Sequence, residues 1–195
     1  GAVARLLDAF RRVPRHLFVP AEFQEQAYTD HPLPIGAGQT ISQPYIVALM
    51  TERLHLQGHE RVLEIGAGSG YQTAILAEMA LEIFSVERVP ELLSAASDRL
   101  ARLGYLNIHL THGNGSLGWP EHAPYEAIVV TAAAPDVPEP LLSQLAEGGR
   151  MVIPIGPAEG QMLVAVEKRG GLMRRRDIAS CVFVPLLGTY GWPSE

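Results

Sequence analysis

Glycines at alternate positions of "LEIGAGSGYQT", Gly66, Gly68 and Gly70, stand between an apolar run and a helical one. Glycine lets a backbone come close to a ligand, and the start of a helix offers free N–H groups to it. With Ala67 and Ser69, these residues form a loop that can cradle a small molecule. A tight strand-to-helix turn that binds nothing has the same spacing. A dinucleotide fingerprint would need a glycine where this chain has Tyr71, so a nicotinamide cofactor is disfavoured. No Gly-Lys-Ser/Thr follows, which excludes a phosphate loop of the nucleotide-hydrolase kind.

The next strand-like run ends in "SVER", placing Glu87 at the carboxyl edge beside the glycine loop. Ligands of doubly wound sheets bind at that edge, where a carboxylate can accept both hydroxyls of a ribose. The competing reading makes Glu87 a surface charge at the next helix start. After a third run, "HGNGSLGW" offers Asn114 and Gly115 to an adenine edge. In this order, the three features point to S-adenosylmethionine.

Upstream, "GQTISQPY" carries the hydroxyls of Thr40 and Ser42. Hydroxyls can hold a carboxylate by donating to it without giving up the proton. Spacing alone supports another role. Ser42 reads equally well as the N-cap of a helix "SQPYIVALMTERL" with proline in its first turn.

These residues need a frame, and the chain supplies one. From Gly58 apolar strand-like runs alternate with helical ones, the pattern of a mostly parallel, doubly wound α/β sheet. The strands are read as "RVLEIG", "EIFSVER", "NIHLTHG", "YEAIVVTAA" and "RMVIPIG". The intervening helices are "YQTAILAEMA", "PELLSAASDRLARLG" and "PEPLLSQLAEGG". "QMLVAVEKRGGLMRRRDIASCVFVPL" predicts an antiparallel edge hairpin turning at Gly170-Gly171. "AVARLLDAFRRV" and "SQPYIVALMTERL" have helical spacing, with "VPRHLFVP" as a connector. The whole of 1–195 reads as one domain: 1–57 helical with the hydroxyl segment, 58–156 the cofactor-binding core, and 157–195 the hairpin and a closing loop.

With 195 residues, 47% hydrophobic and 18% charged, the chain fits one ordinary globular domain. A net charge of −6 argues against a general nucleic-acid binder. Arg174-Arg175-Arg176 reads as the solvated edge of the hairpin, with a phosphate patch as the minor alternative. Cys181 stands alone in a strand-like run and reads as a structural thiol. No apolar run reaches membrane-span length, no leader pattern opens the chain, and the histidines show no metal spacing. The expectations are no membrane, no metal and a cytoplasmic location, with a monomer favoured.

The chain resembles the protein-L-isoaspartate O-methyltransferase family over nearly its whole length. The resemblance rests on "VPRHLFVP", "GQTISQPY", "VLEIGAGSGYQTAILA", "GNGSLGW", "APYEAIVVTAAAPDVPEPLLSQLAEGGRMVIPIG" and "FVPL". It implies methyl transfer from S-adenosylmethionine, leaving S-adenosylhomocysteine, to the free α-carboxylate of isoaspartyl residues in damaged proteins and peptides. It also implies that Ser42 is the active-site serine and Thr40 a carboxylate contact. A substrate groove would run between this segment, Ala132 and Ala133 of "TAAAP", and Val184, Pro185 and Leu186 of "FVPL". The family commonly has Asp where this chain has Asn114, a neutral and weaker acceptor. It usually has further helix before "LLDAFRRVPRH", so this chain reads as shortened at its start. The alternatives are a methyltransferase of the same fold for a small carboxylate or hydroxyl, and a non-enzymatic adenosine-binding module.

Overall fold

In a computed structural model, residues 1–194 are described. Seven strands form one sheet: β3 (Arg61–Ile65), β4 (Glu82–Glu87), β5 (Ile108–His112), β6 (Tyr125–Val130), β7 (Leu145–Ile155), β8 (Gln161–Arg169) and β9 (Leu172–Cys181). Their order is β5-β4-β3-β6-β7-β8-β9. Pairing is parallel from β5 across to β7 and antiparallel for β7–β8 and β8–β9. The expected doubly wound sheet and edge hairpin are both present. Gly170 and Gly171 turn that hairpin with φ of +58° and +73°, the left-handed values a two-residue turn demands.

The central strands are apolar on both faces because both are covered. On one face Val62, Ala127, Val129 and Val152 join a core with α1 (Ala2–Arg12), α2 (Pro44–Glu52) and α3 (Tyr71–Ala77). On the other, Leu63, Ile65, Ile128, Val130 and Met151 pack with Leu141 of α5 (Glu139–Gln144) and with Trp119. α4 (Pro90–Arg102) follows β4 and opens on proline, as the sequence predicts.

Three expectations need correction. α5 stops at Gln144, so "LAEGG" starts β7 instead of ending a helix. The Gln144 amide donates to Leu117 O at 2.9 Å and accepts from Trp119 N at 2.9 Å, tertiary bonds that fix where the helix stops. Next, within 1–57, expected to be helical around the hydroxyl segment, "LPIGAGQTI" forms a small hairpin, β1 (Leu33–Gly36) with β2 (Gln39–Ile41). Finally, α2 begins at Pro44 with Gln43 at its N-cap and no side-chain cap. Ser42 is therefore not the helix cap.

Candidate active site

The glycine loop leaves β3 at the carboxyl edge of the sheet, where the switch from leftward to rightward connections opens a crevice between β3 and β6. Gly66 has φ +94°, and a Cβ on it would meet Thr131 Oγ1 at 2.4 Å. Thr131, just past β6, shares its hydroxyl between the carbonyls of Ile65 and Gly66 at 2.9 and 2.7 Å. Gly70, φ +88°, lets α3 press on α4, where a Cβ would lie 3.2–3.3 Å from Leu100 and Ala96. The loop is thus shaped by glycine at both ends.

Glu87 fixes the same loop from β4. Its Oε1 accepts from Gly68 N and its Oε2 from Val89 N, both at 2.8 Å, and the residue is 6% exposed. A buried carboxylate with backbone donors on both oxygens is no surface charge. Each oxygen retains lone-pair capacity toward the crevice.

One cleft gathers most of the expected residues. Its walls are Gly66, Ala67, Gly68, Ser69, Glu87 and Gly115 on the sheet side, Thr40 and Ser42 opposite, and Ala132 with Val184, Pro185 and Leu186 across the mouth. The space between them is about 880 Å³, counting the open mouth. The glycine cradle and the Glu87 carboxylate are a donor-and-acceptor set suited to S-adenosylmethionine.

Gly70, Ala133 and Asn114 lie outside the cleft walls. Ala133 instead clasps the closing loop, its N–H donating to Val184 O at 2.8 Å and its carbonyl accepting from Leu186 N at 2.7 Å. Asn114 Oδ1 accepts from Ser116 N at 3.0 Å and Ser116 Oγ at 2.7 Å, capping the short turn Gly115–Leu117. Its Nδ2 donates to Thr189 Oγ1 at 3.3 Å. With an aspartate there the direction would reverse, the Thr189 hydroxyl donating to the carboxylate.

Some residues that build the site gave no periodic signal in the sequence. Arg15, in the connector before the hydroxyl segment, is 1% exposed. Its Nε donates to Ala27 O at 2.5 Å and its Nη2 to Ser42 O at 2.9 Å, while the guanidinium sits 4.8 Å from the Tyr71 ring centre. Burial lowers its pKa, opposed chiefly by Tyr71. Tyr71, where a dinucleotide fold would have glycine, turns its ring into the N-terminal layer against Phe10 and Phe18. Arg15 thereby ties the Ser42 backbone to the first residue of α3. Gln161 does similar work for the closing loop, accepting from Phe183 N at 2.7 Å and donating to Pro157 O at 2.7 Å.

Beneath the loop, Glu64 is fully buried, with Oε1 accepting from Thr73 Oγ1 at 2.5 Å and Ser85 Oγ at 2.7 Å. Oε2 has no partner. Loss of hydration dominates and pushes its carboxyl up to about 7, against the two hydroxyl bonds. The raised native pKa sets the sign. The native state holds a proton that the unfolded chain releases near 4.5, so stability is highest below that pH and falls toward about 7. The Glu64→Gln variant, which cannot ionise, should lack this decline, a difference on the order of 3 kcal/mol. Urea melts of both proteins at pH 5 and 8 would check it. Parallel pH profiles would assign the buried proton elsewhere.

A model of the family described as protein-L-isoaspartate(D-aspartate) O-methyltransferase matches residues 2–191. The chain belongs to this family. A protein-L-isoaspartate O-methyltransferase of Methanoculleus marisnigri is 54% identical over 191 residues, covering 98% of this chain and 87% of the relative. The Dictyoglomus thermophilum enzyme of the same name is 58% identical over 188 residues, 96% and 86% of the two chains. A solved protein-L-isoaspartate O-methyltransferase superposes with a TM-score of 0.89 at 31% identity, covering 96% of this chain and 62% of that longer one. A Plasmodium falciparum protein described under the same name, crystallised with S-adenosyl-L-homocysteine, gives 0.83 at 28% identity over 94% and 90% of the chains. Among the described residues no helix is long and apolar enough to cross a membrane.

Proposed function

We infer that this protein transfers a methyl group from S-adenosylmethionine to the free α-carboxylate of L-isoaspartyl residues in damaged proteins and peptides. The observation that carries the reading is the cleft itself: in a chain of this family, Thr40 and Ser42 of "TIS" line one crevice together with the glycine loop and Glu87. The whole chain is taken as a single methyltransferase unit.

S-adenosylmethionine, when bound, supplies an electrophilic methyl on a positively charged sulfur that leaves as a neutral thioether. Glu87 is the proposed acceptor of the ribose hydroxyls, and residues 66–70 with Gly115 the proposed cradle. Asn114 is assigned an indirect part, holding the turn that presents Gly115. The acceptor's carboxylate is ionised at neutral pH and needs no general base. What the protein must supply is alignment and removal of water. Ser42 is the proposed catalytic residue, donating to the carboxylate, with Thr40 beside it. Val184, Pro185 and Leu186, clasped by Ala133, would cover the extended peptide, whose backbone gives recognition independent of sequence.

The direct test is transfer of labelled methyl from S-adenosylmethionine to an isoaspartyl peptide, read as a base-labile ester. Absence of ester on the peptide, with transfer to small carboxylic acids instead, would overturn the reading. The cofactor half is tested separately. Glu87→Ala should weaken S-adenosylhomocysteine binding by about 1.5–3 kcal/mol, the scale of hydrogen bonds to a charged group. Titration calorimetry on the folded variant would show it, and an unchanged Kd would remove Glu87 from the site.

A further inference from the structure

The arginine run of the hairpin forms part of a second concave site. Register places Arg150 of β7, Glu167 of β8 and Arg174 of β9 in one row across the sheet, with Ala165 and Arg176 in the next. Directly opposed residues share a face, so Arg150, Arg174 and Arg176 rise on the same side. Small Ala165 leaves a floor between them. The C-terminal end of α2 closes the other side with Arg53 and His55. His55 holds the left-handed backbone at φ +52°, an uncommon conformation for a residue with a Cβ.

Five arginines and one histidine thus line a groove of about 970 Å³ with its open mouth. Its one acid, Glu167, accepts from Arg169 Nε at 2.5 Å and stands in the row between Arg150 and Arg174, whose charges also lower its pKa, so a single carboxylate faces the whole set. Among the described residues Arg150, Arg174 and Arg176 have no ion-pair partner, whereas Arg175, at the alternate position, reaches Asp136 at 3.6 Å. Arg53 Nε is buried without a hydrogen bond, although Glu52 Oε1 lies 3.4 Å away. Several guanidinium groups around one carboxylate leave a surplus of positive charge, which in a chain of net charge −6 calls for an anion.

We propose that this groove binds a compact polyphosphate-type oxyanion, through the guanidinium forks of Arg150, Arg174 and Arg176 with Arg53 at its rim. Planar forks match phosphate oxygens in pairs, and every cation here is arginine. The sequence around these cations argues against an extended polyanion. Along the chain the cations are interrupted by Glu52 before Arg53 and by Asp177 after Arg176, and the net charge is −6, so no continuous basic track for nucleic acid or an acidic peptide is laid out. The groove is separate from the methyl-transfer cleft. Helix α2 runs from just after Ser42 to the groove over nine residues, about 13 Å.

The test is calorimetric titration of the full chain with tripolyphosphate at about 50 mM salt, where screening is modest. Saturable one-to-one binding is expected. It should fall by at least ~10-fold in the Arg174→Ala/Arg176→Ala double variant and stay unchanged in Arg11→Ala, a remote exposed arginine. Arg174 and Arg176 are exposed, so melting temperatures without ligand should match. The double Lys variant, which keeps charge but loses the fork, should fall between and serves if the alanine protein misfolds. Absence of saturable binding, equal affinity in every variant, equal binding of sulfate at matched ionic strength, or tighter binding of oligoglutamate would each overturn the proposal. None of these measurements involves methyl transfer, so their outcome is independent of the function assigned above.

Discussion

A peptide carrying L-isoaspartate is expected to be methylated at least ~10²-fold faster than its twin with ordinary aspartate at the same position. In isoaspartate the chain runs through the side-chain carbonyl, leaving the α-carboxylate as a short branch on Cα. In aspartate the free carboxylate sits one methylene further from Cα. An acceptor held along its backbone would then present its oxygen out of line with the methyl. Since no general base is needed, nothing else in the cleft could restore the rate. Initial rates at equal, subsaturating concentrations measure kcat/KM for the pair. Comparable values would exclude isoaspartyl repair, however tightly S-adenosylhomocysteine binds.

The second large effect concerns Ser42. Ser42→Ala should lower turnover on the isoaspartyl peptide by about 10–100-fold, the equivalent of one hydrogen bond to a charged group. Affinity for S-adenosylhomocysteine should stay within about twofold, because the proposed role of the hydroxyl is to hold the acceptor and not the cofactor. Stability should move by less than about 0.5 kcal/mol, since Gln43 and not Ser42 stands at the N-cap of α2. The bond from Arg15 goes to the Ser42 carbonyl and survives the substitution. A variant that loses stability but keeps its turnover would return Ser42 to a structural role.

Much of the architecture was legible because its signals are local. The strand–glycine–helix unit at 61–77, the proline that opens α4 and the Gly-Gly turn of the hairpin follow from periodicity and backbone freedom. The β1–β2 hairpin was not legible, because its strands are only four and three residues long and its turn at Ala37 and Gly38, with φ of +54° and +72°, lacks an Asn-Gly or Gly-Gly signal. Leu33 and Ile41 are buried by the core and not by their own alternation. "LAEGG" misled because paired glycines resemble a helix stop. The true stop is set by Gln144, buried in bonds to residues over twenty positions away. In the site, Glu87 could be placed from the end of its strand, whereas Arg15 and Thr131 act through carbonyls of distant segments. No spacing rule announces such partners. Asn114 follows β5, and its carbonyl oxygen accepts from Ser116 N and Oγ, a local bond pattern that no spacing announces.

The antiparallel edge has a consequence that is a matter of parity. β7 runs parallel to β6 and so ends at the edge of the sheet where the glycine loop lies. One reversal into β8 carries the chain away from that edge, and a second into β9 brings it back. Only an even number of added strands can therefore deliver Phe183 to Leu187 beside Ala133, where Pro185 forms its parallel bridge. A shortened relative could drop both strands and still close its cleft with the same loop. One that dropped a single strand would leave that loop stranded at the opposite end of the sheet, roughly a strand's length of 30 Å away. Insertions and deletions at this edge should accordingly be tolerated in pairs of strands and rejected singly.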